Sequence, residues 1–259
     1  MSFFRTEDIS ISFGGLKALN RVSFEISQGE IFSIIGPNGA GKTTIFNCIS
    51  RFYDLQEGKI FLGDGEISLI SPHQVANLGI ARTFQNIELF KNMTVIENLL
   101  LGRHRHRRSN LFQEAIFSRA VREQEIKSRE KAEEIIDFLD LQAYRDQVVA
   151  GLSFGLLKIV ELGRALALEP SLLLLDEPSS GMNLEEVEDL SHWINDIKEK
   201  LGITILLVEH NMMLVAGVSD RVLALNFGEI ITQGTPKKVM EDPEVIKAYL
   251  GEEGVFIKA

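Results

Sequence analysis

Apolar and polar residues alternate along Asp8-Ile9-Ser10-Ile11-Ser12-Phe13 and again along Val22-Ser23-Phe24-Glu25-Ile26. A period of two turns one face of a strand inward and the other to solvent, so both segments predict half-buried strands. Joined across Gly14-Gly15 and a short connection, they predict an antiparallel layer at the edge of the fold. The runs Ile31–Ile35, Leu172–Leu175 and Ile203–Val208 are instead short and continuously apolar. Parallel strands covered by helices on both faces read this way, and these runs predict the central sheet. Within Leu184–Leu201, the residues Val187, Leu190, Ile194, Ile197 and Leu201 recur at steps of three and four among Glu185, Glu186, Glu188, Asp189 and Glu199. That pattern predicts a helix laid on the sheet with an acidic outer face. Between about Asn86 and Ala150 strand signals disappear, and Thr94–Leu101 and Ala115–Leu139 read as charged helices, a helical insertion in an α/β core. A strand at Arg221–Asn226, a hairpin-like Asn226-Phe227-Gly228-Glu229 and a closing helix at Pro243–Leu250 complete the chain, without an internal repeat or low-complexity linker.

Composition narrows the class. With 259 residues, 45% hydrophobic and 25% charged, the chain suits one compact unit or one core carrying an inserted subdomain. A net charge of −10 argues against a surface built to neutralise nucleic-acid phosphates. The single cysteine, Cys48, reads as a small buried apolar residue, and with no intrachain disulfide a reducing compartment is allowed. The N-terminus shows no signal-peptide pattern and no apolar run is long enough to span a bilayer, so the expected membrane role is peripheral.

The chemistry lies at three strand ends. Gly36-Pro37-Asn38-Gly39-Ala40-Gly41-Lys42-Thr43, followed by Thr44, fits G-x-x-x-x-G-K-[ST] and sits between an apolar strand and a helix. Glycines let the backbone wrap a polyphosphate, N–H groups and the positive helix end face the phosphates, Lys42 supplies a cation and the Thr43 hydroxyl can ligate Mg²⁺. Asp176 and Glu177 stand just beyond Leu172–Leu175, at the edge where open α/β sheets bind ligands. Asp176 is placed to hold Mg²⁺ and Glu177 to orient or deprotonate the attacking water. His210 follows another buried strand and is expected at the same edge.

In this order, the phosphate loop, Gln85, Leu152-Ser153-Phe154-Gly155-Leu156, Asp176-Glu177 and His210 resemble an ATP-binding cassette (ABC) ATPase over nearly the whole chain. The resemblance implies an α/β fold: a P-loop NTPase core of ABC type with an antiparallel β layer and an inserted α-helical subdomain. It implies one domain over 1–259, with a nucleotide-binding core in 1–85 and 156–259 and a helical subdomain, including the signature segment, in 86–155. ATP and Mg²⁺ are the implied cofactors. Phe13 is similar to the aromatic residue that stacks on adenine, and Gln85 to the glutamine that reaches Mg²⁺. Ser153 and Gly155 match the signature segment that holds the γ-phosphate bound by a second subunit, the same or a different ATPase, met head to tail. Two departures stand out. Phe154 and Leu156 replace Gly and Gln of the usual L-S-G-G-Q, leaving the backbone donors but removing a side-chain amide, and Asn183 stands where many relatives carry an aspartate.

Arg82-Thr83-Phe84-Gln85-Asn86, Leu89-Phe90, Met93–Leu100, Gly234-Thr235-Pro236 and Asp242–Glu252 resemble ATPase subunits of branched-chain (hydrophobic) amino-acid importers, and less completely those for urea or lipopolysaccharide. The implied partners are a membrane permease and, indirectly, a solute-binding protein, at the cytoplasmic face of the membrane and with no nucleic acid. A soluble, non-transport ABC ATPase is the alternative, although such proteins usually carry tandem cassettes or coiled coils that this length does not hold. The basic run Arg103–Arg108 reads as a solvated loop in preference to a lipid-binding patch. Replacing Lys42 by Ala should abolish nucleotide binding or hydrolysis without unfolding the chain, which ATPase assays and circular dichroism would measure together. A variant with normal ATPase activity contradicts the phosphate-loop assignment.

Overall fold

A computed structural model of the chain describes residues 2–85, 87–106 and 119–250. The chain opens with β1 (Phe4–Phe13) and β2 (Leu16–Ile26), then β3 (Ile31–Ile35) and α1 (Lys42–Ile49). There follow β4 (Glu57–Leu62), β5 (Gly65–Glu66), α2 (Pro72–Asn77), β6 (Ile80–Arg82), α3 (Val95–Gly102), α4 (Arg119–Phe138) and α5 (Phe154–Leu166). The remainder is β7 (Leu172–Asp176), α6 (Leu184–Leu201), β8 (Thr204–Val208), α7 (Met212–Val218), β9 (Arg221–Asn226), β10 (Glu229–Gly234), α8 (Pro236–Met240) and α9 (Pro243–Leu250).

One sheet has the order β2-β1-β4-β5 and is antiparallel; the other has the order β10-β9-β3-β8-β7-β6. In the second sheet β9, β3, β8, β7 and β6 run parallel and only β10 is antiparallel. The apolar runs are continuous because both faces of this sheet are covered. Phe32, Ile34, Leu174 and Leu206 pack toward α1 and the antiparallel layer, with Phe4, Ile9, Val22 and Ile45. Their neighbours Leu173, Leu175, Ile205 and Leu207 pack toward α3, α4, α5 and α6, through Leu99, Ile135, Leu162 and Ile194. Register then fixes the site. Ile34 lies beside Val208, and Val208 beside Asp176, so the residues that follow these three strands emerge on one edge.

The helices begin where their caps dictate. Thr94 accepts from the Glu97 N–H while Glu97 reaches back to the Thr94 N–H, a capping box that starts α3. Asn183 and Glu186 form the same arrangement at α6, which ends at Gly202 with φ 66° after Lys198 and Lys200. The helix expected at Ala115–Leu139 is described from Arg119 onward; 115–118 lie outside the described residues, as do Asn86, Gly251 and Glu252. Strands β4, β5 and β6 carry no readable pattern. In β4, Glu57, Gly58 and Lys59 are exposed, and backbone pairing to β1 holds the strand in place. Cys48 is buried, as expected, and burial pushes its thiol up to about 12.

The basic run differs from the solvated loop expected of it. Arg103 is buried, donates to the Ala167 carbonyl at 3.1 Å and pairs with Glu169 at 2.8 Å. Arg105 donates to the Asn77 carbonyl at 2.9 Å. Arg103 pins the end of α3 to the turn after α5, and Arg105 ties the same segment to the end of α2; Arg107 and Arg108 lie outside the described residues.

Candidate functional site

The loop between β3 and α1 approaches other backbone so closely that only glycine fits at two points. A Cβ on Gly36 would lie 2.1 Å from the Leu225 carbonyl oxygen. One on Gly41, at φ +107°, would lie 2.6 Å from that of Ala18. Gly41 is also the N-cap of α1, which has no side-chain cap and no acidic residue in its first turn, so the positive end of the helix is left to face an anion. Pro37 and Ala40 are buried, whereas Asn38, Gly39 and Thr43 are exposed and Thr44 is partly so. Lys42 folds back over the loop, with Nζ donating to the carbonyls of Gly36 at 2.6 Å and Pro37 at 2.9 Å. Phe13, half-exposed at the end of β1, meets the Tyr53 ring edge-on at 5.0 Å.

Across the edge stand the carboxylates. Asp176 is 2% exposed, and its Oδ2 accepts from Arg82 Nη2 at 2.8 Å. Asp176 Oδ1 is buried and has no hydrogen-bond partner among the described residues. Such an orphaned anionic oxygen suits a cation ligand, so the donor set fits Mg²⁺. Glu177 adopts φ 46°, a left-handed conformation that costs a non-glycine residue about 1–2 kcal/mol. Its N–H donates to the Val208 carbonyl at 2.8 Å, and its Oε2 accepts from Gln85 Nε2 at 2.9 Å. The same oxygen lies 3.8 Å from Nδ1 of the exposed His210. Gln85, Glu177 and His210 are therefore brought together.

Ser153 and Gly155 make a separate group. Ser153 caps α5, accepting from the Leu156 N–H at 3.4 Å, and Gly155 presses on the start of α6, where a Cβ would lie 2.2 Å from Glu186 Oε1. Phe154 is half-exposed and leans on its own chain: its ring would be 2.7 Å from a Cβ on Gly181 and has the Lys158 ammonium 5.8 Å from its centroid. Asn183, which lacks the anion of many relatives, works as the cap of α6.

Two residues escaped the sequence reading. Arg82 pairs with Asp176, donates to Asn47 Oδ1 at 2.8 Å and lies over the rings of Phe46 and Phe84. Glu209, 0% exposed, accepts from the Ser179 N–H with one oxygen and from those of His210 and Asn211 with the other, at 2.8, 2.9 and 3.0 Å. It ties the turn after Glu177 to the His210 loop. Only the position of Glu209 at a strand end hinted at this; Arg82 carried no signal beyond its place before Gln85.

A glycine cradle beside a cationic Lys42, opposite one buried and one water-accessible carboxylate, defines a nucleoside triphosphatase. The ABC transporter family matches residues 19–180, and the branched-chain amino acid ATP-binding cassette transporter family matches residues 229–255. The chain is 39% identical over 244 residues to the high-affinity branched-chain amino acid transport ATP-binding protein BraF of Pseudomonas aeruginosa, covering 94% of this chain and 96% of that one. It is 37% identical over 253 residues to the probable branched-chain amino acid transport ATP-binding protein LivG of Archaeoglobus fulgidus, covering 98% and 97%. A nucleotide-free ATP-binding cassette from an ABC transporter superposes with a TM-score of 0.84 at 35% identity, over 97% of this chain and 100% of that one. The chain belongs to the ABC transporter ATPase family, binds ATP and hydrolyses it.

Replacing Arg82 by Met should leave Asp176 buried and unpaired, which costs about 3–5 kcal/mol when one partner of a buried ion pair is removed. Urea unfolding measures this, and a loss below about 1 kcal/mol, the range of exposed pairs, contradicts the assigned burial of the pair.

Proposed function

We propose that the chain powers uptake of branched-chain (hydrophobic) amino acids, as a peripheral subunit docked on a permease at the cytoplasmic face of a membrane. Among the described residues no helix is long and apolar enough to cross a membrane, so the passage belongs to the permease, and a solute-binding protein delivers the solute to it. The relatives named above and the match over residues 229–255 support this substrate class over urea or lipopolysaccharide. The observation that carries the catalytic reading is the meeting of Gln85, Glu177 and His210 beside the orphaned oxygen of Asp176.

In this reading the backbone of Gly36–Gly41 and the ammonium of Lys42 hold the phosphates, and Phe13 stacks on adenine. Thr43, Asp176 and Gln85 hold Mg²⁺, which when bound neutralises charge developing on the transferred phosphoryl group. Glu177 takes the proton of the attacking water, and His210, 3.8 Å from the same carboxylate, steadies that region. Ser153 and Gly155 serve the nucleotide of a second ATPase subunit, identical or not, so each site is completed across the interface. The core comprises 1–85 and 156–259 and the helical subdomain 86–155, with α5 joining them.

Replacing Glu177 by Gln keeps the shape and removes the anion. Turnover should fall by at least about 10²-fold, the lower end of what general-base catalysis supplies. ATP binding should survive, and a dimer should accumulate with ATP and Mg²⁺ but not with ADP, detectable by size-exclusion chromatography with light scattering. Near-normal turnover would move the catalytic role away from Glu177.

A further inference from the structure

The chemistry derived above makes no use of three charged residues on the inner face of α5. Lys158, Glu161 and Arg164 recur at steps of three, so they share one side of the helix. Lys158 is 5% exposed and Glu161 2% exposed. Burial draws the Lys158 ammonium below its ordinary range and lifts the Glu161 carboxyl above its own, each effect partly offset by the other's charge. Apolar side chains would fill this position without that desolvation cost, so the polar atoms need a reason.

Their hydrogen bonds supply it, because all three reach one short segment. Lys158 Nζ donates to the Gln85 carbonyl at 3.0 Å. Glu161 Oε1 accepts from the Glu88 N–H at 3.3 Å, and Arg164 Nη1 donates to the Glu88 carbonyl. The backbone that carries Gln85 is thus gripped at both ends by side chains of the helix that Ser153 caps. At its other end Gln85 meets Glu177.

We propose that Lys158, Glu161 and Arg164 are positioning residues that lock the Gln85 segment to α5, so that the Ser153 end of the helix and the Gln85 amide move as one body. This rests on the reading of Gln85 and Ser153 as nucleotide-site residues. In a head-to-tail pair those two residues serve different nucleotides, so the row carries the state of one site to the Glu177 of the other. The coupling runs through contiguous hydrogen bonds, partly buried at Lys158 and Glu161 and exposed at Arg164 and Gln85, and it acts on a group that touches the catalytic carboxylate.

The test uses the full chain with Lys158→Met, Glu161→Gln and the conservative Lys158→Arg. ATP affinity should stay within about twofold of the parent, since Lys42 is untouched, while kcat falls about 10- to 100-fold, the scale of a misplaced catalytic contact. Lys158→Arg, which retains a donor, should recover most of kcat. Lowered thermal stability with kcat and KM unchanged would overturn the proposal in favour of a packing role. Should the variants fail to fold, hydrogen exchange on the parent chain decides: a non-hydrolysable ATP analogue with Mg²⁺ should raise protection at Glu88 and in the first turns of α5 together. A change confined to Gln85–Glu88 overturns it. Failure of the underlying reading is distinguishable, because it would appear as unchanged turnover in Gln85→Ala and in Ser153→Ala themselves.

Discussion

A carboxylate kept out of water is the constraint around which the nucleotide edge is organised. Asp176 ends a strand covered on both faces, and burying an ionised group in that position is costly without compensation. Arg82 compensates one oxygen from the neighbouring strand β6, and Arg82 in turn is held by Asn47 and by aromatic rings from α1 and the loop after β6. Among the described residues the other oxygen has no hydrogen-bond partner, which suits it to a cation. The loop between β3 and α1 depends on the same construction: it emerges from β3 in register with β8 and β7, and α1 supplies Asn47 to Arg82.

Around that fixed carboxylate the other groups are adjustable. Glu177 is aimed by a left-handed backbone, its carboxylate shared between Gln85 and the neighbourhood of His210, while Glu209 joins the turn at Ser179 to the His210 loop through three backbone donors. A carboxylate whose two oxygens both accept from N–H groups has no room for an amide nitrogen, which explains why glutamate stands there. The site thus combines a rigid floor of parallel strands with loops that share hydrogen bonds, and loops of this kind are where changes of state are cheapest.

Much of this was legible in the sequence because it is local. The strands β3, β7 and β8 are buried on both sides, so their composition alone reveals them, and the phosphate loop is read from glycines whose spacing the backbone demands. The acidic helix α6 follows from periodicity, whereas its cap does not: in the sequence Asn183 stands out only as a departure from the aspartate of relatives, and the structure shows it capping the helix with Glu186. What escaped is what depends on distant partners. Arg82 lies on a strand of three residues, too short for any period, and its partner is 94 positions away. Strand β4 is recruited by backbone pairing to β1 and β5 by pairing to β4, which leaves no apolar pattern in exposed residues such as Glu57 and Lys59. The early arginines of the basic run read as solvated because a sequence does not reveal that the Ala167 and Asn77 carbonyls stand within reach.

Within the chain, Gln85, Glu177 and His210 converge while Gly155 packs against the start of α6 and Ser153 is exposed at the cap of α5, so in the function proposed above a second subunit completes each site. Hydrolysis per subunit, measured across a dilution series with the oligomeric state followed by light scattering, tests this most directly. The rate per subunit should rise with concentration and level off as the dimer forms. A constant rate per subunit in a preparation shown to be monomeric throughout would contradict the composite site.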